Sequence, residues 1–86
     1  MSEPIQDTMT ATESAFAQMW CDLLGRTDIG AGDDFFAAGG TSMTAIKLLQ
    51  RVEKRFGPNA LSPETLYADA TLAGLAAAVD EAAGRR

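Results

Sequence analysis

Thr41-Ser42-Met43-Thr44-Ala45-Ile46-Lys47-Leu48-Leu49-Gln50-Arg51-Val52-Glu53-Lys54-Arg55-Phe56-Gly57-Pro58 is the stretch on which a helical reading turns. Ala45, Leu48, Leu49, Val52 and Phe56 recur at three- and four-residue spacing and predict one apolar stripe on a helix. That helix should begin at Thr41 or Ser42 and end near Phe56. Lys54 and Arg55 complement the negative end of its dipole, and Gly57-Pro58 cannot continue it.

The same period governs the flanks. Thr10 and Glu13 form a capping-box pattern at the head of a helix over Ala11 to Leu24, with Ala15, Phe16, Met19, Trp20, Leu23 and Leu24 on one face. Gly25 is its natural stop. Ser62-Pro63-Glu64 opens a short helix carrying Leu66 and Tyr67. Thr71 caps a last helix with Leu72, Leu75, Ala76 and Val79 inward. Between the first two helices runs a long irregular stretch, Arg26 to Gly40, of a length that inside a compact domain is usually functional. Ile29, Phe35 and Phe36 should pin it to the helices, with Asp33 and Asp34 as turn and capping residues. No segment alternates like a strand. The expected class is therefore all-α: a small bundle of three main helices plus one short helix, with a long loop between helices 1 and 2. A domain over 10–83 would sit between a disordered leader at 1–9 and a disordered tail at 84–86.

Bulk properties exclude several functions. Eighty-six residues make one domain, and 47% hydrophobic residues against 22% charged lie outside the pattern of disorder. A net charge of −5 argues against nucleic acid and suits contact with basic patches on partners. Apolar runs are too short to span a membrane, and the start lacks the basic flank and hydrophobic run of a secretory signal, so the expected location is cytoplasmic. The chain opens on Met and ends soon after the last helix, which reads as a free-standing protein. Cys21 alone forms no internal disulfide or zinc cluster, and the protein should be a monomer. The chain has no histidine, which removes the commonest general base, metal ligand and nucleophile activator. No acidic run has the spacing of a calcium loop. Neither a catalytic residue nor a metal site is expected.

Gly39-Gly40-Thr41-Ser42-Met43 places a primary hydroxyl at the positive end of a helix, where free N–H groups and the dipole tolerate an attached phosphate. The glycines leave that hydroxyl unobstructed. Taken locally, Thr41 or Ser42 is simply a helix N-cap. A nucleophile elbow is excluded, because Thr44 stands where its second glycine belongs. A nucleotide P-loop also fails, for no Gly-Lys-Ser/Thr follows.

Met19-Trp20, Leu23-Leu24-Gly25, Ile29-Gly30, Asp33-Asp34-Phe35-Phe36, Gly39 to Met43, Ala45, Leu48, Arg51-Val52, Phe56-Gly57, Leu66-Tyr67 and Leu72 follow one another in an order that resembles the peptidyl carrier proteins, or thiolation domains, of nonribosomal peptide synthesis. The resemblance runs from Glu13 to Val79. It implies a non-catalytic carrier whose Ser42, flanked by Gly39, Gly40 and Thr41, receives a 4'-phosphopantetheine arm from coenzyme A. It further implies a phosphopantetheinyl transferase, an adenylation enzyme and condensation or tailoring enzymes as partners. Met43 and Ile46, off the inward stripe, and Leu66 and Tyr67 are the expected docking residues. Thr41 departs from the His or Asp often found there in the family. Two alternatives stand beside this reading: an acyl carrier of polyketide or fatty-acid type, and a helical interaction module whose Ser42 is never modified. Acyl carriers more often show Asp before the serine and a more acidic second helix.

Overall fold

The computed structural model describes residues 9–84. Four helices follow in order: α1 Ala11–Leu24, α2 Ser42–Phe56, α3 Pro63–Ala68 and α4 Leu72–Gly84. Residues 1–8 of the expected leader, with Arg85 and Arg86 of the expected tail, lie outside the described residues.

Each helix starts where a side chain can satisfy free backbone donors. Thr10 accepts from the Glu13 N–H at 3.0 Å, while Glu13 accepts from the Thr10 N–H at 2.9 Å. Gly25, at φ 68°, closes α1 in the left-handed conformation and donates to the Cys21 carbonyl at 2.9 Å. Ser62 accepts from the Thr65 N–H at 3.2 Å ahead of Pro63, and Thr71 accepts from the Gly74 N–H at 3.2 Å at the head of α4.

α1 packs on α2 and α4, and α3 packs on α4. Trp20, Phe16, Phe35, Leu48, Leu66, Leu72, Leu75 and Val52 are fully enclosed between them. Burying side chains of this size contributes about 1.5–3 kcal/mol each before entropy is counted.

The long loop is fastened more tightly than its composition suggests. Phe35 plunges into the core, its ring edge-on to Trp20 with centroids 5.2 Å apart. Its N–H donates to the Ala70 carbonyl, and the N–H groups of Leu72 and Ala73 donate to the carbonyls of Asp33 and Ala31, each at 2.9 Å. An antiparallel bridge, Asp34 with Thr71, thus stitches the loop to the α3–α4 junction. Asp33 accepts from the Gly30 N–H and Asp34 from those of Phe36 and Ala37, the turn and capping work expected of them.

Leu66 corrects one expectation. It has no exposed surface and belongs to the core, because the face of α3 that carries it packs inward while Tyr67 points out.

Candidate functional site

The loop delivers the chain to α2 through a defined sequence of contacts. Arg26 pairs with Asp28 at 2.9 Å and donates from Nη1 to the Ala38 carbonyl at 3.1 Å, tying the end of α1 to the residue before the glycines. Gly39 turns the backbone at φ 116°, a region closed to most side chains. Gly40 then comes close to Phe35, its N–H donating to the Phe35 carbonyl at 2.9 Å. A β carbon there would collide with the Phe35 ring and come 2.7 Å from the Phe35 carbonyl oxygen.

Thr41 is the N-cap of α2, at φ −121° and ψ 174°. Its hydroxyl accepts from the Thr44 N–H at 3.3 Å, and its own N–H donates to Thr44 Oγ1 at 2.6 Å. The local choice between Thr41 and Ser42 as cap is settled in favour of Thr41. Ser42 is the first helical residue, exposed, and no hydrogen bond among the described residues uses its hydroxyl. Sequence reasoning gave Thr44 no part in the cap. A Thr-x-x-Thr pair is a weaker version of the Ser/Thr-x-x-Glu/Gln signature that reveals such boxes.

Three large apolar side chains stand open, Met43 at 69% and Ile46 at 53% on the first turns of α2 next to Ser42, and Tyr67 at 57% on α3. Tyr67 is supported from below, its ring stacked on Phe36 with centroids 5.6 Å apart. Phe36 in turn lies edge-on to Phe35, so one aromatic series runs from the Trp20 core to the surface. Phe36 is a second residue whose part in this surface the sequence left open. A groove of about 360 Å³ beside Ile46 is lined by Leu49, Gln50, Leu61, Ser62 and Pro63.

Among the described residues, no group of three or more His, Cys, Asp or Glu side chains could hold a metal ion, and no helix is long and apolar enough to cross a membrane. What the site offers is an exposed hydroxyl at a helix start, with apolar surface beside it at Met43 and Ile46.

Residues 14–79 match the family described as "Phosphopantetheine attachment site". Chondramide synthase of Chondromyces crocatus is 35% identical over 89 residues, covering 92% of this chain and 2% of that protein. Subunit 3 of the surfactin synthase of Bacillus subtilis is 42% identical over 65 residues, covering 76% of this chain and 5% of that subunit. The chain thus spans only a few per cent of the length of these relatives. A chain from the solved complex of the phosphopantetheine transferase Sfp with coenzyme A and a peptidyl carrier protein superposes with a TM-score of 0.80 at 32% identity, covering 85% of this chain and 94% of that one.

Proposed function

The chain belongs to the phosphopantetheine attachment site family, and on that premise we propose that Ser42 is its attachment residue, set by Gly39, Gly40 and Thr41. It is a carrier protein of nonribosomal peptide synthesis, with a covalent 4'-phosphopantetheine drawn from coenzyme A. The observation that carries the choice of Ser42 is the division of labour at the start of α2. Thr41 and Thr44 satisfy the cap, which leaves the Ser42 hydroxyl exposed and unpaired.

These residues fit the arm. The hydroxyl is open to an approaching enzyme, exposed Gly39 adds no side chain, and the helix end favours a phosphate joined there. In the transfer, Ser42 Oγ attacks the pantetheine-side phosphorus of coenzyme A. A phosphate ester forms, the diphosphate bond breaks, adenosine bisphosphate leaves, and the hydroxyl proton passes to the transferase. When bound, the arm supplies a thiol that holds an aminoacyl or peptidyl group as a thioester. The chain performs no reaction of its own. It binds, orients and presents, raising the effective concentration of the tethered group at each partner.

Partners in this reading are a phosphopantetheinyl transferase, an adenylation enzyme and condensation or tailoring enzymes, met by a monomer in the cytoplasm. Met43, Ile46 and Tyr67 form the apolar part of the docking surface. The basic residues of α2 favour a peptidyl cargo over the acyl alternative, whose carriers more often have an acidic second helix.

Intact-mass spectrometry tests the assignment. Wild type incubated with coenzyme A and a broad-specificity transferase should gain one phosphopantetheine, and Ser42→Ala should gain none. Unchanged wild-type mass would sink the proposal, and modification of Ser42→Ala would move the site elsewhere.

A further inference from the structure

Gly39 is the joint through which the chain reaches Ser42, and glycine alone does not choose its conformation. Without a β carbon it takes either sign of φ with similar ease, so something outside the residue must hold the observed 116°. The peptide unit leading into Gly39 is held at both edges. Its N–H, on Gly39, donates to the Phe36 carbonyl at 3.2 Å, and its C=O, on Ala38, accepts from Arg26 Nη1 at 3.1 Å. A flip of that plane would break both bonds.

The grip on the Ala38 carbonyl is itself supported. Arg26 follows the Gly25 cap of α1, and its N–H donates to the Cys21 carbonyl at 3.3 Å, so the side chain starts from a helix packed on α2 and α4. Asp28 takes two guanidinium donors, Nε at 3.0 Å and Nη2 at 2.9 Å, in the parallel fork that a guanidinium offers and an ammonium does not. Nη1 is thereby aimed at Ala38. Asp33 and Asp34 line the same small recess, but their carboxylates accept from the N–H groups of Gly30, Phe36 and Ala37, and the guanidinium pairs with Asp28. Exposed ion pairs of this kind add little to global stability, so the consequence of the clamp is local, at the turn.

We propose that Arg26, oriented by Asp28, is a positioning residue for the modification of Ser42: it locks the Ala38–Gly39 peptide, and with it the turn that sets the hydroxyl before the transferase. The inference rests on the carrier reading and deepens it. With the turn unlocked, only a fraction of the molecules presents Ser42 in the competent geometry. Apparent affinity for the transferase then falls by that fraction, while the chemical step in the bound molecule is unaltered.

The test follows transfer of the arm from coenzyme A onto the full-length apo protein by a broad-specificity transferase, with the carrier concentration varied. Arg26→Ala should raise KM for the carrier about threefold with kcat unchanged. Arg26→Lys should do nearly the same, because an ammonium keeps the charge but cannot fork onto Asp28 and reach Ala38 together. Asp28→Asn should raise KM too, and the double variant Arg26→Ala/Asp28→Asn should be no worse than Arg26→Ala, as expected of two residues acting through one bond. Asp22→Asn is the control, since Asp22 of α1 pairs with Arg51 at 3.4 Å, is similarly exposed and touches no part of the turn. Its KM should stay at the wild-type value. Without any transferase, solvent exchange of the Gly39 amide measured by NMR should quicken about threefold in the clamp variants and hold in Asp22→Asn, while amides within α1 and α4 exchange as in wild type. Failure of wild type to gain the arm would strike the carrier reading and not the clamp, which Gly39 exchange reads independently. Normal gain in wild type with KM unmoved in Arg26→Ala, or restored by Arg26→Lys, would overturn the positioning role alone. So would Gly39 exchange that no clamp variant changes.

Discussion

Thr41 and Thr44 cap each other across the first turn of α2, with the Thr41 N–H donating to Thr44 Oγ1 at 2.6 Å and the Thr44 N–H donating back to Thr41 Oγ1 at 3.3 Å. Deleting the cap with Thr41→Val should cost about 1 kcal/mol in urea unfolding, a loss that Thr41→Ser restores. Modification should slow as well, because Ser42 then becomes the nearest hydroxyl able to take over the cap. The measurement is the initial rate of phosphopantetheine mass gain. A rate unchanged in Thr41→Val would mean that the capping box and the availability of Ser42 are independent.

The two glycines before the cap have separate reasons to be glycine, and the reasons predict different responses. Gly39→Ala forces a β carbon onto a backbone at φ 116° with open space around it. Gly40→Ala has no such conformational conflict but meets the Phe35 ring and carbonyl. Gly39→Ala should destabilise by about 1 kcal/mol or more, and Gly40→Ala by about 1–3 kcal/mol through overpacking. Gly32→Ala, in open space, should change thermal stability by less than either. Trimming the ring with Phe35→Leu should relieve Gly40→Ala but leave Gly39→Ala as it was, which a double-mutant cycle would read.

How much of this was legible beforehand follows the range of the forces involved. The helices are local matters of period and caps, so Thr10, Glu13, Ser62 and Thr71 marked their starts from sequence alone. The position of Gly-Gly-Thr-Ser at a helix head was legible too, since that is a short-range pattern, whereas which of Thr41 and Ser42 takes the cap was not. The seam between Asp33-Phe35 and Ala70-Leu72 was not, because backbone hydrogen bonds across that separation leave no mark on residue type. Leu66 was misplaced for a related reason. Neighbours on a six-residue helix can face opposite ways, and only packing against the rest of the core decides which one is covered. The basic character of α2 was hidden in plain view: seven cations averaged over the chain conceal that four share one helix.

Trp20 is the only tryptophan, fully buried, with its indole Nε1 lacking any hydrogen-bond partner among the described residues and Phe35 edge-on to its ring. Removing that neighbour with Phe35→Ala should cost about 3–5 kcal/mol and shift the tryptophan emission to the red as water enters. Trp20→Phe should cost less than Phe35→Ala, because the cavity it leaves is offset by losing a buried donor that was never paired. Urea titrations of both variants decide the order. A larger loss for Trp20→Phe would mean that the indole nitrogen finds a partner in solution.

Acid should loosen the molecule through two carboxylates held by different means. A hydrogen bond and the charge of Arg26 lower the Asp28 pKa below its ordinary value, with the Asp28 backbone assisting. The Thr71 hydroxyl and then the Thr71 N–H lower that of Asp69, which braces the cap of α4. Since both values are depressed on folding, their stabilisation is fully present above the ordinary carboxylate pKa. It disappears as pH falls through the folded value. Asp28→Asn and Asp69→Asn should therefore be less stable than wild type at neutral pH, with each gap closing below about pH 4. Salt tells the two apart. The Asp28 pair is an exposed ion pair that screening weakens, whereas the partner of Asp69 is a neutral hydroxyl and backbone N–H. In thermal melts at neutral pH, added salt should shrink the Asp28→Asn gap and leave that of Asp69→Asn standing. If salt erased both alike, Asp69 would be acting on the field around α4 and not on Thr71.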